Sequence, residues 1–307
     1  MSSTPVTPER SGPIVLRSTK PHPCPVCDCT TAPAGEAVGS RSKRTFRLHR
    51  CTVCNFVFVT DPWTEYAKIY DEAYYRGEGS DPLVDYATEF ASPEETVRRY
   101  EWRGVERIAE RLRPEGGKWL DFGCGNGGLV RHCKASGRFE MFGFDTGAWA
   151  EKARASGLPI LHEAELAAHA GTCDLVTAIE VVEHLVDPVA TLRQVRQLLK
   201  PGGILFLTTG NSSAAPADLG RWAYVQPEIH VSYFNPTALE LALRRAGFKT
   251  RYRGPVPGWS DIIRFKCLKS LRVKRRNLFE RCLPWRLFTP LIDKRYRISV
   301  YPVGEAN

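Results

Sequence analysis

The chain has no run of the roughly 18 apolar residues that a membrane-spanning helix needs. Its first stretch, Met1 to Lys20, is polar and proline-rich and lacks the apolar core of a secretory signal. The expectation is a protein of the reducing cytoplasm. There, ten cysteines read as metal ligands or plain thiols rather than bridges. No internal repeat occurs, which excludes a solenoid or propeller array. With 43% hydrophobic and 25% charged residues, the composition also excludes a wholly disordered chain, a collagen and a small disulfide-stapled domain. A length of 307 residues suggests about two domains.

Acid is scarce at one end. From Arg244 to Asn307 stand 17 Lys and Arg against 4 Asp and Glu, a net +13 in a chain whose total is +9. A basic end, rather than a basic protein, needs explaining. It suits a phosphate-rich partner (nucleic acid, an anionic membrane surface or a phosphorylated substrate) or simply a solvated surface.

The pattern divides the chain into a flexible tail at 1–20, a Cys-, Pro- and Thr-rich head at 21–60, an aromatic connector at 61–92 and a regular region at 93–307. Ser92 and Pro93 read as a helix start, with the helix over Glu94–Arg113. Strands are then expected at Lys118–Phe122, Phe139–Phe144, Leu158–His162, Cys173–Ile179 and Ile204–Thr208. Helices are expected at Gly127–Ser136, Ala148–Ser156, from Asp187 onward and at Thr237–Ala246. Pro201-Gly202-Gly203 reads as a turn into the last of these strands. Such alternation argues an α/β fold, a mainly parallel sheet with helices on both faces.

The most informative segment is Trp119-Leu120-Asp121-Phe122-Gly123-Cys124-Gly125-Asn126-Gly127-Gly128. An apolar strand ends in an acid, glycines alternate, and a helix begins. Gly123 and Gly125 allow a tight turn and close approach of a ligand, and the helix N-terminus supplies unpaired amides. The next strand ends in Asp145, placed to accept hydrogen bonds from ribose hydroxyls. The glycines run Gly-x-Gly-x-Gly-Gly, which also satisfies the Gly-x-Gly-x-x-Gly of a dinucleotide site, so the loop alone is a weak signal and the segments after it decide. Two further segments follow, Asp174 to Leu185 with Glu180-Val181-Val182-Glu183-His184, and Leu198-Leu199-Lys200-Pro201-Gly202-Gly203.

In this order the four segments resemble the class I S-adenosylmethionine-dependent methyltransferases, in the small-molecule branch that holds ubiquinone-type and sugar methyltransferases. The resemblance covers residues 95–250 and implies a Rossmann-like seven-stranded sheet. It implies that Asp121, Gly123 and Gly125 hold the methionine part of the cofactor, that Asp145 binds the ribose, and that the backbone near Glu180 approaches the cofactor's amino end. Adenine contacts are usual near Glu163, where no motif is visible. The sulfonium is already an activated electrophile, so the protein's task is to align the acceptor, exclude water and, for a hydroxyl or carbon acid, remove a proton. His184 and His230 are the candidate bases, a neutral imidazole being suited to that task. Glu183 is placed to orient a histidine or to cap a turn. His230-Val231-Ser232-Tyr233-Phe234 is similar to the H-x-x-Y-F stretch of that branch.

Cys24-Pro25-Val26-Cys27 and Cys51-Thr52-Val53-Cys54 form two C-x-x-C knuckles. Together they make a closed four-sulfur structural zinc site, unsuited to catalysis by the metal. Cys29, His22 and His49 are substitute ligands, and a redox dithiol or free thiols are the competing readings. Phe46, Leu48, Phe56 and Phe58 alternate around the second knuckle as in a zinc ribbon. A zinc head, a tyrosine-rich connector (Tyr70-Asp71-Glu72-Ala73-Tyr74-Tyr75) and a methyltransferase core resemble the sugar C-methyltransferases. The connector would face the substrate there, or pack head against core.

Lys249–Gly254 and Arg297–Val303 read as the last two strands, with a basic insertion at about 255–296 between them. Its Arg264, Lys266, Lys269, Arg275 and Arg276, interleaved with Phe265, Leu278, Phe279 and Trp285, suit an anionic membrane surface, RNA phosphates, or a lid or dimer helix over the site. The functional expectation is methyl transfer from S-adenosylmethionine to oxygen or carbon of a small molecule, sugar or lipid-linked intermediate. The alternatives are an RNA methyltransferase with an RNA-contacting zinc head and a non-catalytic zinc scaffold. No Asn-Pro-Pro-Tyr signature of base methylation follows the fourth strand.

Overall fold

A computed structural model of the chain describes residues 22–78, 85–215, 219–222, 224–252, 257–296 and 302–306. The tail expected at 1–20 lies outside them. Two sheets organise the rest. The first begins with the hairpin β1 (Thr31–Val38) and β2 (Thr45–Cys51), followed by β3 (Val57–Val59). The connector folds as three short helices, α1 (Tyr66–Ile69), α2 (Glu72–Tyr75) and α3 (Tyr86–Ala91).

The second sheet and its helices then alternate. The order is α4 (Arg99–Leu112), β4 (Gly117–Phe122), α5 (Gly128–Lys134), β5 (Phe139–Phe144), α6 (Ala148–Ala155), β6 (Ile160–Leu161), α7 (Glu163–Leu166), β7 (Cys173–Ile179), α8 (Pro188–Leu198) and β8 (Leu199–Thr208). After β9 (Ser232–Tyr233) come α9 (Pro236–Arg245), β10 (Phe248–Tyr252), α10 (Trp259–Ser270), α11 (Leu278–Cys282), α12 (Trp285–Tyr296) and β11 (Pro302–Ala306). The seven-stranded order is β10-β11-β8-β7-β4-β5-β6. Pairs from β8 to β6 are parallel, and β11 enters antiparallel between β10 and β8.

Local chemistry explains these elements. Strand β7 is apolar nearly throughout because helices cover both its faces. Asp187 caps α8 by accepting from the Ala190 amide at 2.9 Å, with Pro188 in the first turn. Val189, Leu192, Val195 and Leu198 form its buried stripe, each side chain stabilising the fold by roughly 1.5–3 kcal/mol. Asn235 caps α9 through the Ala238 amide at 2.9 Å.

Three expectations shift. The first long helix starts at Arg99 rather than Glu94, because Thr96 bridges to Arg275 and the Val97 amide donates to the Lys274 carbonyl at 3.0 Å. Those backbone groups are spent on the insertion instead of on a helical turn. Pro201-Gly202-Gly203 lies inside β8 as an irregularity, not a turn before it. The final strand runs over 302–306, while 253–254 and 297–301 lie outside the described residues.

The two sheets are not independent. Strand β9, contributed by the core, pairs antiparallel with β3 of the head, so the first sheet has the order β1-β2-β3-β9. Cys24, Val26, Cys51, Cys54 and Phe56 share one buried cluster with Phe234, Ala238 and Leu239. Asn235 donates to the Cys54 carbonyl at 3.0 Å, and Arg245 to the Val26 carbonyl at 2.7 Å.

Candidate active site

The carboxyl ends of β4, β5 and β7 open into one cavity of about 1310 Å³. Asp121, Gly123, Gly125, Asp145, Glu180, Glu183, His184 and His230 all line it. Every residue singled out as cofactor-binding or as a candidate base therefore meets in one space. Glu163, at the start of α7, is not among the lining residues. The volume exceeds the roughly 300–1,000 Å³ of a single-ligand site, enough for a nucleoside and an acceptor together.

At one end the chain turns sharply after β4. Gly123, Gly125 and Gly127 all have left-handed φ, at 80°, 55° and 71°, which side chains other than glycine adopt at a cost. A Cβ on Gly125 would come within 2.7 Å of the Tyr86 hydroxyl, so only glycine fits beneath the connector. Asp145 Oδ2 accepts from the Gly125 amide at 2.9 Å and Oδ1 from the Gly147 amide at 2.7 Å. A carboxylate oxygen has two lone pairs, so ribose hydroxyls can still be received. Asp121 is buried and accepts from the Thr177 hydroxyl at 2.8 Å. Burial pushes its carboxyl up to about 7.

Glu101, which the sequence reading missed, lines the cavity beside Arg98 and has a buried Oε1 with no hydrogen-bond partner among the described residues. An orphaned buried carboxylate oxygen is costly, and a cationic ligand group offsets that cost. This oxygen, the glycine cradle and the unused capacity of Asp145 fit S-adenosylmethionine. Glu180 holds a left-handed φ of 56°, strain of the kind that persists at functional sites. Burial works to raise its carboxyl, but the Lys266 ammonium at 2.8 Å outweighs it and holds the group at about 2.

At the other end sit the two histidines, with ring centroids 4.9 Å apart. His184 Nδ1 donates to the Ile229 carbonyl at 2.9 Å, and His230 Nδ1 to the Tyr224 carbonyl at 2.9 Å. Carbonyl oxygens only accept, so both rings carry their proton on Nδ1 and present Nε2 as the basic nitrogen. The Tyr70 hydroxyl lies 3.2 Å from His184 Nδ1. Glu183 is fully buried and accepts from Tyr224 at 2.7 Å and Thr209 at 2.8 Å. Burial first, and the Glu180 charge second, push it up to about 8. Glu183 thus braces Tyr224 and Thr209, and a carboxylate oxygen lies within 4.8 Å of a ring nitrogen of both His184 and His230. Gln226, a second lining residue, has a buried Oε1 with no hydrogen-bond partner among the described residues.

The connector and insertion supply the roof. Tyr66, Tyr70, Tyr74, Tyr75 and Tyr86 line the cavity from α1 to α3. Phe265, Lys266 and Lys269 line it from α10, which packs on α4. Among the described residues, this part of the insertion forms a wall of the cavity.

Away from the cavity, the four knuckle sulfurs converge. Cys24 and Cys54 Sγ are 3.7 Å apart, Cys27 and Cys51 3.4 Å, and Cys27 and Cys54 3.7 Å. Tetrahedral zinc with bonds of about 2.3 Å requires edges of about 3.8 Å, so the donor set fits that ion. Backbone amides of Val26, Val53 and Cys54 donate to the sulfurs at 3.4 Å.

A parallel sheet closed by one antiparallel strand, a glycine cradle after its first strand and an acid at the tip of the second define the class I S-adenosylmethionine-dependent methyltransferase fold. Residues 94–252 match the family described as methyltransferase domain. The chain belongs to that family. It is 35% identical over 182 residues to a ubiquinone biosynthesis O-methyltransferase of Caulobacter vibrioides, covering 53% of this chain and 69% of that one. It is 36% identical over 121 residues to the corresponding enzyme of Xanthomonas axonopodis pv. citri, covering 36% and 50%. The chain thus spans about half to two thirds of these relatives' lengths. A SAM-dependent methyltransferase from Archaeoglobus fulgidus superposes with a TM-score of 0.42 at 17% identity, over 68% of this chain and 96% of that one.

Proposed function

We propose that the protein transfers a methyl group from S-adenosylmethionine to a hydroxyl oxygen of a small molecule. The observation that carries this reading is the single cavity that holds the Asp145 cradle at one end and the two Nδ1-anchored histidines at the other. The bound cofactor supplies the electrophilic methyl group. Asp145 holds the ribose, Asp121 with Gly123 and Gly125 holds the methionine part, and Glu101 faces its cationic amino end. His184 or His230 accepts the acceptor's proton at Nε2, a role worth about 10²–10⁴-fold. The tyrosine roof excludes water. Aromatic walls at Tyr66, Tyr70 and Tyr224 suit a planar or lipophilic acceptor, in keeping with relatives named O-methyltransferases.

Zinc in the Cys24, Cys27, Cys51 and Cys54 site is part of the same reading, as a structural ion. No helix among the described residues is long and apolar enough to cross a membrane. Exposed Leu278, Phe279, Leu287 and Leu291 beside Arg281 and Arg286 support peripheral contact with an anionic surface and a lipid-linked acceptor. A calorimetric titration with S-adenosylmethionine tests the cofactor site. Wild-type protein should bind it, while Asp145→Ala and Gly123→Val should bind far more weakly. Equal binding by all three would overturn the assignment.

A further inference from the structure

A buried carboxylate that does not line the cavity stands two residues before His230. Glu228 is 2% exposed, and its oxygens point away from the core into the tip of the head's β1–β2 hairpin. Ser40 Oγ donates to Oε2 at 3.1 Å, the Arg41 amide to the two oxygens at 3.1 and 3.3 Å, and the Ser42 amide to Oε1 at 2.5 Å. Successive amides converging on one anion make a nest. The tip is pinned by Gly39, whose amide donates to the Arg44 carbonyl at 2.8 Å. A Cβ on Gly39 would stand 2.5 Å from Ser42 Oγ and 2.6 Å from Glu228 Oε1, so an alanine there would push on the clasped carboxylate.

Glu228 sits in the turn that orients both rings. The Ile229 and His230 amides donate to the Gln226 carbonyl at 2.9 and 2.8 Å. The neighbouring Ile229 carbonyl is the acceptor that fixes His184, and His230 follows directly. The next residue, Val231, receives the Val59 amide at 2.9 Å from the head's β3. The same hairpin tip also reaches the opposite wall. Arg41 pairs with Asp71, which caps α2 through the Tyr74 amide at 2.9 Å, one residue beyond Tyr70. One short loop of the head therefore grips both the histidine-bearing turn and the tyrosine connector.

An apolar residue could fill position 228 without the desolvation cost of a buried carboxylate. We propose that Glu228, clasped by the Ser40–Ser42 tip of the head, is a positioning residue that sets the turn and with it the tautomer and aim of His184 and His230. This inference rests on the methyltransfer reading only in taking those histidines as the acceptor-side base. Misplacement of a reacting group by about 1 Å costs on the order of 10²-fold in rate, which is reason enough for such a clasp.

The test uses the full chain with 15N-labelled histidine, with His184→Asn and His230→Asn spectra assigning the two rings. Two-bond nitrogen–proton spectra of the wild type should show the Nδ1–H tautomer for both. Glu228→Ala and the remote Gly39→Ala should each convert at least one ring to a mixture of tautomers, and Glu228→Gln, which keeps one acceptor oxygen, should lie between. Affinity for S-adenosylhomocysteine should stay within about twofold, as for a change away from the binding groups. If Glu228→Ala does not fold, Gly39→Ala and Glu228→Gln carry the comparison. Wild-type histidine spectra in the folded variants would overturn the proposal. Failure of wild-type protein to bind S-adenosylhomocysteine would instead sink the methyltransfer reading, and the tautomer comparison would still be readable.

Discussion

The two ends of the cavity are built differently. At the cofactor end, contacts stay within the core and its insertion: Gly125 meets Asp145 across 20 positions, Asp121 meets Thr177 across 56 and Glu180 meets Lys266 across 86. At the acceptor end, Tyr70 meets His184 across 114 positions, and Ser40 meets Glu228 across 188. The glycine loop and Asp145 belong to one strand–loop–helix–strand unit and the rest of this end to the core, so it should persist when the head is disturbed. The second exists only when head, connector and core are docked together. Nucleoside binding and acceptor chemistry should therefore be separable by mutation.

The harshest way to break that comparison is to remove the metal ligand set. Cys51→Ser should lower the thermal midpoint by on the order of 10 °C, since metal binding to a small domain is folding free energy. Elemental analysis should find one zinc per wild-type chain and little in the variant. A metal-free wild type of unchanged stability under chelation would defeat the zinc reading. Next, His230→Ala and His184→Ala should between them lower labelled-methyl transfer about 10²–10⁴-fold while calorimetry finds cofactor affinity unchanged. A matching loss of affinity would erase the distinction between the two ends.

Asp145→Ala sharpens the comparison from the opposite side. Losing a charged hydrogen-bond acceptor should cost about 1.5–3 kcal/mol of cofactor binding, roughly ten- to hundredfold, with the histidine tautomers intact. The smallest effect is on pH. Glu183 is raised from 4.5 to about 8 in the fold, so the folded state retains a proton that the unfolded chain releases. Its contribution is fully present below about 4.5 and is lost as pH rises through 8. Thermal midpoints of the ligand-free protein should decline across that window, and Glu183→Gln should flatten the decline. Glu180, held at about 2, acts oppositely, its contribution disappearing as pH falls through that value.

The same contrast explains what could be read in the sequence. Asp121, the glycine loop and Asp145 were legible because one local unit carries them all. The convergence of the cysteine knuckles was legible because a turn brings each pair together and two pairs make one four-sulfur set. Both histidines stood out by type and place. Glu101, Gln226 and Glu228 were not legible: a helical Glu and two polar residues in a loop carry no signal until a partner from elsewhere is docked. The strand β9 was missed because two residues of a loop become a strand only by pairing with the head. The early helix was overextended because its first turn is diverted to Lys274 and Arg275, which no local preference reveals. For the insertion, sequence left a lid, a membrane face and an RNA surface open. The Lys266–Glu180 pair then places α10 at the cavity.

The most direct measurement is a crystal structure of the wild-type protein grown with S-adenosylhomocysteine. The expected result has the ribose hydroxyls on Asp145, the amino end toward Glu101 and Glu180, and the sulfur facing the space before His184 and His230. A nucleoside bound elsewhere, or one whose sulfur faces solvent away from both histidines, would contradict it.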